Sequence, residues 1–443
     1  MSPRPVSAPA LTGRSVVNIK AHNLRAVLLT LLQGGPASRV HLARVTGLST
    51  TTMTNLIGEL VAQGIVFETN DEPVAETREG DERKRGSSCV RGRPATPVTI
   101  APGARCAVGI HFGVDTLRAG MVDLLGNTSL CRVIRHPTDM PPAELLDQAV
   151  GLAEEVIASG DAGREAIVGV GVGASGLVDP QTGVNVLAPN LGWRDIPVRD
   201  AFYSKLNLPV LVDNNVRAMA LAESMFGAGR GVNMLAFVYG RVGVGAGFVM
   251  GGQIYRGTKA GAGEIGHSTM IPAGGAPCRC GNSGCLETLV SEPEIVRQAF
   301  ALAARAPDSI LAAHLNALEG QPGSDGVKPN SHIEQVFAAA REGDRQARGL
   351  LEERAHYMGT ALANLVNLIN PDMIILGGLF AAGQDLLLPT IEETMRRRSF
   401  AGLGNSVALR VTAFGPDVGV VGAASLALDA FFYQQGVVSL AFH

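Results

Sequence analysis

The spacing of apolar residues changes period near residue 100, so one uniform architecture cannot accommodate the whole chain. Before that point Leu24, Val27, Leu28, Leu31 and Leu32 recur at three- and four-residue intervals, the stripe of an amphipathic helix. Gly34-Gly35-Pro36 stops it, and Ser38 caps a short second helix carrying Leu42, Ala43 and Val45 inward, closed by Thr46-Gly47-Leu48. Ser49 then caps a third helix whose buried stripe is Met53, Leu56, Ile57 and Leu60. From residue 105 onward, β-rich runs at 106–112, 119–124, 131–134, 167–172, 210–212, 234–239 and 247–250 alternate with helical stretches at 144–158 and 217–226. Two long helices are expected around Ile374-Ile375-Leu376-Gly377-Gly378, with a helix–loop excursion over 303–333. Alternation of this kind builds sheets flanked by helices, so the fold class is α/β behind a small helical N-terminal domain.

Helix, glycine turn, helix is the helix-turn-helix arrangement, in which the later helix reads DNA. With Met53, Leu56 and Leu60 inward, Ser49, Thr50, Thr51, Thr52 and Asn55 face outward at the front of the third helix. Thr can meet a thymine methyl, Asn can pair with adenine, and front-end amides can hold a phosphate. A threonine-rich first turn is also simply good capping chemistry. The runs 65–67 and 96–100 are expected to be the strands of a wing around a polar, charged tip at 68–90. Arg91-Gly92-Arg93-Pro94 would set Arg91 and Arg93 on an extended backbone suited to a narrow minor groove.

Charge supports a phosphate-backbone partner. The net charge of −3 divides into +4 over residues 1–100 and −7 over the remainder, and no acidic side chain precedes Glu59. A hydrophobic fraction of 46% with 17% charged residues excludes chain-wide disorder. No apolar run reaches the roughly 18 residues of a membrane span, and MSPRPVSAPALTGRS lacks a secretory core, so the expectation is a cytoplasmic protein with no membrane partner.

The sharpest local motif is His267 followed by Cys278-Arg279-Cys280-Gly281-Asn282-Ser283-Gly284-Cys285. His267, Cys278, Cys280 and Cys285 make a complete tetrahedral set for one structural Zn²⁺ per chain, with no ligand position left for a catalytic water. A disulfide is the weaker reading, because adjacent Cys-x-Cys geometry is strained.

Glu264-Ile265-Gly266-His267 with Cys278-x-Cys280-Gly-x-x-Gly-Cys285-Leu-Glu287 resembles the ROK family (repressors, open reading frames, kinases) over roughly residues 15–440. The N-terminal pattern is similar to the winged helix-turn-helix of that family's repressors of xylose and N-acetylglucosamine genes. The resemblance implies a two-lobed actin-like sensor of the sugar kinase/Hsp70 kind. It divides the chain into a tail at 1–22, a winged helix-turn-helix at 23–100, a small lobe at 105–212 completed by the C-terminal helix, and a zinc-bearing large lobe at 213–443. It also implies a sugar site made by Asn190, Asn214, Asn215, Glu264, His267 and Glu287, with His267 shared between sugar and zinc.

The sequence departs from the family's kinases on the nucleotide side. In Asp213-Asn214-Asn215-Val216-Arg217, Asn215 stands where a kinase carries its catalytic Asp, and an amide is no general base. The first phosphate loop reads His111-Phe112-Gly113-Val114-Asp115, which places a carboxylate that would repel ATP phosphates. The second, Gly240-Arg241-Val242-Gly243-Val244-Gly245, has Val242 in place of Thr, while Leu376-Gly377-Gly378-Leu379 is partly intact. The expectation is a non-enzymatic repressor that binds double-stranded operator DNA as a homodimer or tetramer and responds to a sugar or sugar phosphate. An active sugar kinase with a DNA-binding domain, and a regulator controlled by a protein partner, remain the alternatives.

Overall fold

The computed structural model describes residues 16–69, 96–319 and 332–434. They fall into two compact units, one of Met1–Ala104 with Leu428–His443 and one of Arg105–Ala427.

In the first unit α1 (Val16–Gly34), β1 (Ala37–Ser38), α2 (Arg39–Thr46), α3 (Thr50–Ala62), β2 (Val66–Glu68) and β3 (Pro97–Ile100) follow one another. Ser38 Oγ accepts from the His41 amide at the start of α2, and Ser49 Oγ accepts from the Thr52 amide at the start of α3. Gly47 closes α2 at φ 70°, a conformation that favours glycine. The strands form one antiparallel sheet in the order β1-β3-β2, with Val66 opposite Ile100. Leu24, Val27, Leu28, Leu42, Met53, Ile57, Leu60, Ile65 and Val98 are buried in this unit. The π-helical turn Leu428–Tyr433 packs on α1.

Two sequence expectations are corrected here. The helix begins at Val16, so residues 16–22 of the expected tail are helical; Lys20 is anchored to Glu59 at 2.9 Å. Val45 is 54% exposed instead of buried, because α2 is only eight residues long and turns Leu42 and Ala43 inward.

The second unit holds two five-stranded sheets. In the first, β4 (Cys106–Phe112), β5 (Thr116–Asp123) and β6 (Thr128–Arg135) form an antiparallel meander. After α4 (Pro142–Ser159), β7 (Ile167–Ala174) runs parallel to β4. A small sheet of β8 (Leu177–Asp179), β9 (Val184–Ala188) and β10 (Trp193–Ile196) follows, then α5 (Val198–Leu206) and β11 (Val210–Asn214), giving the order β11-β7-β4-β5-β6. After α6 (Asn215–Met225) come β12 (Met234–Gly240), β13 (Val244–Met250) and β14 (Gln253–Tyr255) of the second sheet. A helical layer follows: α7 (Glu287–Val290), α8 (Glu292–Arg305), α9 (Ile310–Glu319), α10 (His332–Arg341) and α11 (Arg345–Ile369). Then β15 (Met373–Gly378), α12 (Leu379–Ala382), α13 (Gln384–Arg398) and β16 (Ala408–Val411) complete the order β14-β13-β12-β15-β16, and α14 (Val418–Ala427) ends the unit.

The two sheets are joined by a pair of helices. α6 packs on β12 and β13 of the second sheet, α14 packs on β4 and β7 of the first, and α6 and α14 pack on each other. Glycines permit this close approach: a Cβ on Gly171 would lie 1.8 Å from the Ala423 carbonyl oxygen, and one on Gly422 would lie 2.7 Å from the Met219 amide nitrogen. Every residue of α14 is buried. It belongs to Gly415–Tyr433, the stretch among the described residues that is long and apolar enough to cross a membrane (mean hydropathy 1.2), of which 67% is buried inside the protein. A run of this kind was not anticipated in the sequence, and its burial marks it as a core helix.

Candidate functional site

Both sheets of the second unit run into one cleft with a cavity of about 700 Å³. Asn190, Asn214, Asn215, Glu264, His267 and Glu287, the six residues expected to face a sugar, all line it. They arrive from different elements, and local sequence explains each placement.

Asn190 sits in the turn between β9 and β10, where Gly192 takes φ 65°. Its Oδ1 accepts from Arg279 Nη1 at 2.8 Å, while its Nδ2 lies on the side of Gly243. Asn214 ends β11 and caps α6: its Oδ1 accepts from the amides of Val216 and Arg217, and its Nδ2 donates to the Gly176 carbonyl at 2.9 Å. That amide is therefore largely committed to holding the turn in shape. Asn215, first in α6, donates from Nδ2 to Ser175 Oγ at 3.2 Å. Behind this pair, fully buried Asp213 accepts from Arg217 Nε and from Arg256 Nε, each at 2.8 Å. Arg217 also reaches the carbonyls of Ala260 and Val178, tying the Asn-Asn turn to the segment that precedes Glu264.

Glu264 and His267 lie on a segment pressed against β13. Gly263 and Gly266 flank it because a side chain at either would strike that strand: a Cβ at Gly263 would stand 1.9 Å from the Ala246 carbonyl oxygen, and one at Gly266 would stand 2.1 Å from that of Val244. Burial pushes the Glu264 carboxyl up and Glu287 pushes it further, while His267 and Arg217 pull it down. Glu287 opens α7, and its Oε2 accepts from the Val244 amide at 3.0 Å.

Beside the cleft, His267, Cys278, Cys280 and Cys285 converge, their donor atoms all within 4.8 Å of one another. This cluster could hold a metal ion. Cys278 Sγ lies 3.6 Å from His267 Nδ1, and Cys280 Sγ lies 3.8 Å from Cys285 Sγ, far too long for a disulfide. Gly281 at φ 93° and Gly284 at φ 68° allow the chain to fold the sulfurs inward. Cys106 and Cys131 stand apart as free thiols, and burial pushes Cys106 up to about 11.

The cleft has a second end, formed by His111, Gly113, Val114, Tyr239, Arg241 and Val242. Sequence reasoning did not single out Arg241 or Arg279; their sole signal was position, between loop glycines and between the two cysteines of the Cys-x-Cys. His111 is buried, and burial first, then Arg118 and Arg241, lower it to about 3, leaving a neutral ring.

In the first unit Ser49, Thr50, Thr51 and Asn55 are exposed on α3 and Thr52 is half-buried, its hydroxyl 2.8 Å from Ser49 Oγ. Of the basic residues before Glu59, Lys20 is paired with Glu59, and Arg39 with Glu68 at 2.8 Å. Arg91 and Arg93 lie outside the described residues.

A two-lobed cleft of this build, behind a helical N-terminal unit, defines the actin-like sugar-kinase class of fold. The chain belongs to the ROK family, whose model matches residues 107–430. It is 30% identical over 382 residues to a xylose repressor of Caldicellulosiruptor bescii, covering 86% of this chain and 89% of that one. A solved ROK family transcriptional regulator, described as a homolog of the Escherichia coli MLC protein, superposes with a TM-score of 0.73 at 26% identity, covering 94% of this chain and 98% of its own. A ROK glucokinase from Streptomyces griseus, solved with glucose and AMPPNP, matches with a TM-score of 0.64 and 30% identity, covering 73% of this chain and 99% of its own.

Proposed function

We propose that the protein is a DNA-binding transcriptional repressor whose affinity for operator DNA is set by a sugar or sugar derivative bound in the cleft, and that it does not phosphorylate that sugar. The observation that carries this reading is the convergence of Asn190, Asn215, Glu264, His267 and Glu287 on one cavity with an amide at position 215. Paired amides and carboxylates select a polyhydroxyl ligand strongly, since a mismatched hydroxyl leaves them buried and unsatisfied. The same geometry does not deprotonate the ligand. Asn215 Oδ1 accepts from the Val216 amide and its Nδ2 donates to Ser175, so it is held as a neutral hydrogen-bonding group. Similarity to repressors over nearly the full chain supports this reading over the kinase alternative, because the glucokinase match leaves about a quarter of the chain uncovered.

The His/Cys cluster fits Zn²⁺. With Zn–S near 2.3 Å and Zn–N near 2.0–2.1 Å, a tetrahedron has S···S edges of about 3.8 Å and S···N edges of about 3.6 Å. The observed separations are 3.8 Å for Cys280–Cys285 and 3.6 Å for Cys278–His267. A bound zinc would supply structural bracing. His267, with Nδ1 turned toward Cys278 Sγ, would offer that nitrogen to the metal, and its ring, held in the cleft wall, would then be oriented as a recognition group for the effector.

The first unit reads as a winged helix-turn-helix, α3 presenting Thr50, Thr51 and Asn55 to base edges. A homodimer or tetramer would place two such helices on a palindromic site in the cytoplasm. Effector binding changes the relative populations of two conformations, and the DNA response follows as a coupling free energy of typically about 1–3 kcal/mol. Titration calorimetry with glucose, xylose and their 6- or 5-phosphates tests the sensor. Heat from at least one sugar, lost in Glu287→Gln, supports it; silence from the whole panel would favour a protein partner.

A further inference from the structure

One side chain of the Cys-x-Cys loop has no part in the metal cluster and reaches into the cleft instead. Arg279, exposed between Cys278 and Cys280, donates from Nη1 to Asn190 Oδ1 at 2.8 Å, and among the described residues no carboxylate pairs with it. A guanidinium carries donors and no acceptor, so the amide it holds must present its oxygen to it. The hydrogen bond therefore fixes which way Asn190 is turned, and Nδ2 falls on the opposite side. There Nδ2 has no partner among the described residues. A Cβ on Gly243 would lie 3.4 Å from Asn190 Nδ2 and 3.1 Å from Glu287 Oε2, so the amide donor and the carboxylate flank a position that the missing side chain leaves open. Glu287 is held in place as well, its Oε2 accepting from the Val244 amide at 3.0 Å with further lone pairs to spare. Asn190, Gly243, Arg279 and Glu287 all line the one cavity.

A donor beside an acceptor reads a ligand group by its polarity. A hydroxyl satisfies both, accepting from Asn190 Nδ2 and donating to Glu287, whereas an ether oxygen or a fluorine satisfies only the first and an ammonium only the second. With the amide turned the other way, two acceptors would face the ligand, and an ammonium would fit better. We propose that Arg279 is a specificity-determining residue of the cleft: by holding Asn190 Oδ1 it makes this turn a donor toward the effector, and so selects a hydroxyl where Asn190 and Glu287 meet. Arg279 acts through Asn190 and is a positioning residue. The inference rests on the reading of the cleft as an effector site and adds to it the residue that sets one element of its selectivity.

The test is calorimetric and uses the full chain. Glucose, xylose and their phosphates are titrated into wild type, and the tightest of them is compared with its deoxyfluoro and amino-deoxy analogues at each hydroxyl-bearing carbon. At one position wild type is expected to bind both analogues about tenfold or more weakly than the parent, since each leaves one of the two groups unmatched. In Arg279→Met and Arg279→Ser the amide is free to turn, and at that position alone the penalty on the amino analogue is expected to fall about tenfold. Arg279→Lys, again a donor without an acceptor, is expected to keep the wild-type penalty. Tm and zinc content are expected to stay at wild-type values, whereas a merely structural role would lower them and weaken every analogue alike. The proposal is overturned if the penalty is unchanged in both variants, or if it falls equally at every position, which would report only the removal of a charge. Silence of wild type toward every sugar would overturn the effector reading and this inference with it; an unchanged penalty would overturn this inference alone.

Discussion

His267 Nδ1 lies 3.6 Å from Cys278 Sγ, and the same imidazole forms part of the cleft wall with Asn190 and Glu287. In the proposed reading, metal holding and ligand recognition share this one side chain. Removing the metal should be felt in the cleft. Cys280→Ala is expected to abolish the single zinc per chain, read by elemental analysis, and to weaken sugar binding by about 10–100-fold, the usual cost of loosening a group that orients a ligand. A zinc-free variant that binds sugar as tightly as wild type would separate the two roles.

The close seat of α14 on the first sheet makes a sharp stability test. At Gly171 a Cβ would meet the Ala423 carbonyl oxygen at 1.8 Å, a contact relieved only by moving backbone. Gly171→Ala is expected to lower stability by about 1–3 kcal/mol or more, read as a fall in Tm. Gly151→Ala, where nothing lies within 4 Å, should stay near wild type.

Burial lowers His111 from 6.5 to about 3, so the unfolded chain takes up a proton in that window while the folded chain does not. Stability is expected to fall as pH drops from about 6.5 toward about 3, this residue contributing on the order of a few kcal/mol at the acid end. His111→Asn, which cannot titrate, should flatten that part of the pH–stability curve in denaturant melts. An unchanged slope would show that the ring is protonated in place.

The helical unit was largely legible in the sequence. Leu24, Leu28, Met53, Ile57 and Leu60 announced their faces by spacing, and Ser38 and Ser49 announced the starts of α2 and α3. Val45 misled because period alone does not say how far a short helix turns before it ends. In the second unit the strands were readable as β-rich runs, but the joining of two sheets by α6 and α14 was not, since it depends on Gly171 and Gly422 meeting backbone far away in sequence. The cleft's polar residues came from a motif. Arg241 and Arg279 escaped because their partners, Asp115 and Asn190, are 126 and 89 positions distant. The pairing of Lys20 with Glu59 and Arg39 with Glu68 likewise tempers the basic character that composition alone suggested.

Thr51 and Asn55 are exposed on α3, and in the proposed winged helix-turn-helix they are the neutral groups expected to read bases. Asn55→Ala is expected to cost about 1–3 kcal/mol on a selected duplex and to relax preference at one base pair, leaving the salt dependence of binding unchanged because no charge is lost. Anisotropy titrations at several salt concentrations read both effects. A uniform loss on all sequences would assign Asn55 to the backbone instead.

The central claim, that the cleft governs DNA binding and performs no phosphoryl transfer, is tested most directly by one paired measurement. Duplexes enriched by the protein from a random pool are titrated by anisotropy with and without each sugar of the panel, and ATP consumption is followed in the same mixtures. The expected result is a sequence-selective complex whose affinity shifts about 5–150-fold with one sugar, with no ATP turnover. Sugar-dependent ATP consumption, or a DNA affinity indifferent to a sugar that demonstrably binds, would contradict it.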